Sequence, residues 1–107
     1  MTLKTGIITG DIFLKHIPGG GCPEVPERLR SIHAMLKDPD MRGVFADIPP
    51  KQARREDILL FHTPGHFEKI AETRGKELIA FTADTHACRD SFDAALYATG
   101  GLLWAIT

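Results

Sequence analysis

Between His16 and Lys37 the chain reads HIPGGGCPEVPERLRSIHAMLK, a Gly/Pro loop running straight into an amphipathic helix, and this stretch limits what the rest can fold into. Pro18 and the triplet Gly19, Gly20, Gly21 break regular structure. Pro26 suits a first helical turn, where its missing N–H costs little, and Glu27 puts negative charge at the positive end of the helix dipole. Leu29, Ile32, Met35 and Leu36 then recur on one side at helical spacing until Asp38-Pro39-Asp40 ends the helix near Lys37. Short β-branched segments flank it: Thr5 to Thr9, bounded by Gly6 and Gly10, and Val44-Phe45-Ala46 with Ile48, stopped by Pro49-Pro50. Strand, helix and strand in that order predict a parallel pair with a right-handed crossover and the helix over one sheet face.

Downstream, Arg54 to Phe61 predicts a short helix, and Thr63-Pro64 an N-cap with proline at the first helical position, opening a helix to about Arg74 with Gly75 as its stop. Phe67, Ile70 and Ala71 form its apolar side. Leu78 to Ala83 is apolar but short and fits either a strand or a buried loop, and Asp84-Thr85-His86 reads as a polar turn. From Ser91, a candidate N-cap, a helical pattern of Phe92, Ala95, Leu96, Thr99, Leu103 and Ile106 runs to the last residues. Gly100 and Gly101 within it would each cost about 1 kcal/mol relative to alanine. Their presence predicts close packing against another backbone. No stop signal follows, so Leu103, Trp104 and Ile106 are expected either to meet a partner or to lead into further natural chain.

One core is the ceiling for 107 residues. With 13 Lys+Arg against 14 Asp+Glu, no field of one sign draws the chain to nucleic acid or to an anionic membrane. Lys51, Arg54 and Arg55 read as a solvated helix face. Asp11 interrupts any signal-peptide core and no segment reaches the ~18 apolar residues of a membrane span. Cys22 and Cys88 belong to no CxxC pair and read as reduced thiols, so a cytoplasmic protein is expected. The glycine triplet leads into Cys22-Pro23, not into the Gly-Lys-Ser/Thr of a phosphate loop. His62 and His66 have the spacing of paired metal ligands on one helix, but Pro64 starts a new helix between them, so capping or core packing is expected instead. His16, His33 and His86 have no placed nucleophile beside them.

Three blocks, PEVPERLRSI, ILLFHTPGHFEKI and ADTHACRDSFDAALYATGGLL, occur in an order and spacing that resembles the N-terminal third of the zinc-dependent histone deacetylase superfamily. The bacterial deacetylase-like branch, with its acetoin-utilisation and acetylpolyamine deacetylases, is the most similar. The resemblance implies an α/β fold: a single partial domain over residues 1–107, a fragment of the arginase/deacetylase-type parallel sheet with two or three short strands and about four helices. It implies a parent activity, hydrolysis of N-acetyl amides such as acetyl-lysine or acetylpolyamines by zinc-activated water. The family's catalytic histidines, zinc ligands and tyrosine would lie beyond Thr107. A truncated member, with no catalytic residue, metal ligand or zinc of its own and inactive alone, is therefore expected. Asp84 matches the aspartate that grips the substrate backbone, Arg28 an arginine near the internal cavity, and His16 to Pro23 a loop beside the tunnel. Cys22 and Val25 depart from the bacterial pattern His-Pro-Glu-Arg-Pro-Glu-Arg, Arg54 replaces a typical Ser/Thr cap, and His86 to Arg89 replace a Pro-containing turn. The alternative expectation is a non-catalytic module that self-associates, as a homo-oligomer, through Leu103, Trp104 and Ile106.

Overall fold

Thr5–Ile8 (β1) and Phe45–Ile48 (β2) pair in parallel, Thr5 beside Phe45 and Ile8 beside Ile48, in a computed structural model that describes residues 3–19, 23–83 and 85–106. Between them lies the expected helix, Pro26–Leu36 (α1). Its end is closed by the Lys37 N–H, which reaches the His33 and Ala34 carbonyls at 3.2 Å, and by the Asp38 carboxylate, which accepts the Asp40 N–H at 2.9 Å. α1 lies beside β1, residues of both lining one groove. A 3-10 turn, Asp11–Lys15, follows β1, and α1 packs against that turn. Between α1 and the sheet lies an open groove of about 390 Å³, lined by Ile7, Phe13, Leu29, Ile32 and Leu36. Ile32 and Met35 remain 47% exposed.

The second predicted helix is a single turn, Arg55–Ile58 (α2), which unwinds through the Leu59 N–H to Arg55 and the His62 N–H to Ile58, both at 3.0 Å. Arg54 occupies its N-cap. Arginine carries no acceptor, so the Asp57 carboxylate alone closes this end, taking the Arg54 N–H at 3.0 Å and its guanidinium at 3.3 Å. Pro64–Ala71 (α3) begins as expected, with the Thr63 hydroxyl accepting the His66 N–H at 3.1 Å. It stops before Arg74, and Gly75 makes the reversal at φ 79°, its N–H donating to Arg89 at 3.0 Å.

A second, antiparallel sheet joins Leu78–Ala80 (β3) to His86–Cys88 (β4), Leu78 facing Cys88. His86, read from sequence as part of a polar turn, is a strand residue. Three residues with only Ala87 buried leave no alternation long enough to read.

The last helix, Ser91–Ile106 (α4), organises the core. Phe92 and Leu96 pack with Ala53, and Ile58, Phe67, Ile70 and Ala71 close around them. Phe67 and Phe92 meet edge to face at 5.7 Å. Gly100 does what its position predicts: residues 51–53 cross α4 there, where a Cβ would fall on the Lys51 carbonyl and the Ala53 nitrogen, and the Ala53 N–H donates to the Leu96 carbonyl at 3.0 Å, whereas Gly101 meets a side chain. Gly101 faces Ile8 of β1, so α4 also rests on the parallel sheet. Beyond the glycines the helix opens to solvent. Leu103, Trp104 and Ile106 are 40%, 49% and 73% exposed, with the Lys51 ammonium 4.1 Å from the Trp104 ring centre. Among the described residues no helix is long and apolar enough to cross a membrane.

Candidate functional site

The Gly/Pro loop is tied to the start of α4 by one polar network. The His16 Nδ1 lies 2.6 Å from the Ser91 Oγ and its Nε2 3.4 Å from a Glu24 carboxylate oxygen. The Ser91 Oγ also accepts the Cys88 N–H at 2.7 Å and lies 3.2 Å from the Cys88 Sγ. That sulfur accepts the Ile17 N–H at 3.3 Å and lies 3.1 Å from the Lys15 carbonyl. A fourth tie runs from the His86 Nδ1 to the Pro18 carbonyl at 3.0 Å. The loop is therefore held by β4 and the first residue of α4, 68 to 75 positions away in sequence.

This geometry revises the reading of Ser91. Its hydroxyl turns back to Cys88 and His16, while the Asp90 carbonyl accepts the Ala94 N–H at 2.9 Å and begins the helix. The same donors act on Cys88. Burial pushes its thiol up, but the Ile17 N–H, the Ser91 hydroxyl and the Asp90 N–H favour the thiolate and together hold it below the ordinary thiol range.

Arg28 sits on the first turn of α1 and lines a pocket of about 200 Å³ with Phe13, His16, Glu24, Leu29 and Ile32. The loop, the guanidinium and the imidazole thus share one side of the molecule. His16, placed between a hydroxyl and a carboxylate, can hold a proton at either ring nitrogen. Asp84, the other sequence-predicted residue, lies outside the described residues, as does Cys22; Ala83 and Thr85 belong to the connection between β3 and β4. No group of three or more His, Cys, Asp or Glu among the described residues is placed to hold a metal ion. His62 and His66, expected to cap or to pack in the core, do neither with their side chains. Both are exposed and their rings stack 4.8 Å apart.

The sequence matches the model of the histone deacetylase domain over residues 22–107. The chain belongs to the histone deacetylase domain family. Comparison with curated proteins gives no match. Among solved structures, the crystal structure of the HDA15 HD domain is similar over 92% of this chain, with a TM-score of 0.84 and 27% sequence identity. The deacetylase-family chain spans 30% of that structure's length. In this deacetylase-family chain the short parallel sheet and four helices match part of the family fold, and α1 lies within the matched region. The His16, Ser91 and Cys88 network is what sequence reasoning missed. No local pattern links positions so far apart, and the only available signal was the polar residue type at each.

Proposed function

We propose that this chain supplies one wall of an N-acetyl amide hydrolase site of the bacterial deacetylase-like kind and does not turn over substrate by itself. The observation that carries this reading is the family match over residues 22–107, joined to a Gly/Pro loop pinned beside Arg28. On this reading Asp84 grips the backbone of an acetyl-lysine or the amide of an acetylpolyamine, and Arg28 stands near the cavity behind the reacting group. Zinc, when a complete family site holds it, polarises the acetyl carbonyl and activates water. On this reading the described residues supply the loop wall beside Arg28. A free Cys88 thiol is in keeping with a cytoplasmic setting.

The test is acetate release from an acetyl-lysine peptide and from N-acetylputrescine, with added zinc and with chelator. Equal rates are expected; zinc-dependent turnover would contradict the proposal.

The exposed apolar run of Leu102, Leu103, Trp104 and Ile106 favours a second reading, a non-catalytic module whose occupant is a second copy of the chain. Light scattering at micromolar concentration then reports a dimer or larger species. A monodisperse monomer counts against it.

A further inference from the structure

The connection between α2 and α3 brings two imidazoles together against what Pro64 implies. The His62 N–H is fixed on the Ile58 carbonyl at 3.0 Å, and the Thr63 hydroxyl holds the His66 N–H at 3.1 Å, so the backbone of both residues is set by the turn itself. The rings stack with centroids 4.8 Å apart and planes 28° apart, and Phe61 meets His62 edge-on at 5.0 Å. Neither ring has a hydrogen-bond or ion-pair partner among the described residues. Both stand at the mouth of a cavity of about 200 Å³ whose other walls include Ile58, Phe67, Phe92 and Leu96.

An imidazole nitrogen binds a divalent transition metal at about 2.0–2.1 Å, which puts the ion about 3.2 Å from the ring centre and two rings on one tetrahedral ion about 5 Å apart. The observed 4.8 Å already meets that spacing. The stacked planes do not converge as they stand, so a shared ion requires one exposed ring to turn about its Cβ–Cγ bond. No third His, Cys, Asp or Glu joins the pair among the described residues, so water completes the coordination. Such a neutral-nitrogen, water-completed site follows the usual order of late first-row ions, with Cu(II) ahead of Ni(II) and Zn(II).

We propose that His62 and His66 form a two-imidazole site for a late first-row divalent metal ion, Cu(II) foremost, at the mouth of this apolar cavity. The test is calorimetric titration of the untagged full chain with Cu(II), Ni(II) and Zn(II) chlorides, each alone. One equivalent of Cu(II) binds with micromolar affinity and more tightly than the other two. His62→Ala and His66→Ala each weaken binding by about tenfold or more, whereas His33→Ala leaves it unchanged. The electron paramagnetic resonance spectrum of the wild-type Cu(II) complex shows two coupled imidazole nitrogens, a readout that does not depend on the variants folding. Absence of micromolar binding, binding that neither substitution weakens, or a spectrum with a single coupled nitrogen overturns the proposal.

Discussion

Replacing Gly100 with alanine is expected to lower the unfolding free energy by about 3 kcal/mol, the upper end of the usual cost of overpacking. The reason is what the new methyl meets. At Gly100 it falls on the backbone of Lys51 and Ala53, which cannot swing aside as a side chain would, and Ala53 is itself tied to Leu96 by its N–H. Relief requires either α4 or residues 51–53 to withdraw, and both routes break the contact between α4 and the core. Gly65 provides the opposite case within the same molecule. It lies in α3 with nothing within 4 Å of an added Cβ, and Gly65→Ala should gain about 0.5 kcal/mol by restricting the unfolded chain. Urea denaturation followed by circular dichroism measures both. A Gly100→Ala loss no larger than that of a surface substitution would mean that residues 51–53 do not cross α4 where described.

Phe92→Ala should be comparably damaging, costing about 3–4 kcal/mol through lost burial and the cavity left behind. Phe92 is 6% exposed and joins the two halves of the core: the Phe67 ring packs edge to face on it from α3, and the Arg74 guanidinium lies 4.8 Å from its centre while donating to Asp93 at 2.7 Å. Few side chains share this burden. The fully formed core is Ala53, Phe92 and Leu96, with partly buried neighbours, so little can repack into the space. Against a total stability of about 5–15 kcal/mol for a domain, either substitution removes a large share. The midpoint in urea should fall sharply for Phe92→Ala and much less for Ile32→Ala, whose side chain is half exposed on the groove side of α1.

Features with a local physical cause were legible in the sequence. Pro26 and Thr63-Pro64 begin helices because each stands where a missing N–H or a hydroxyl acceptor suits a first turn, and Gly100 announced a close backbone approach by its cost in a helix. The parallel pairing of β1 with β2 followed from element order alone. What failed depended on distance. Ser91 fits an N-cap locally, yet its hydroxyl is claimed by Cys88 and His16 from other segments. β4 is too short to show alternation, and element order could not show the open groove left between α1 and the sheet. The proximity of His62 to His66 was obscured for a related reason. Pro64 does interrupt the helix, but the preceding turn closes tightly enough to bring the rings together regardless. Of the site, Arg28 was reached only through family resemblance, and the contacts that pin the loop were not legible at all.

Whether that loop is pinned to α4 is read most directly at Cys88, because the Ile17 N–H and the Ser91 hydroxyl that tie the segments together also favour its thiolate. The measurement is the pH dependence of thiol alkylation in a Cys22→Ser background, for the folded chain, the chain in urea and Ser91→Ala. The sign follows from the network. Folded Cys88 should react with a midpoint below the value of about 8.5 usual for a free thiol, the unfolded chain should return to that value, and Ser91→Ala should move the folded midpoint upward. The same depression adds stability above the unfolded thiol pKa, and that stability is lost as pH falls through the folded value. A folded midpoint equal to that in urea and unmoved by Ser91→Ala would contradict a loop held against α4.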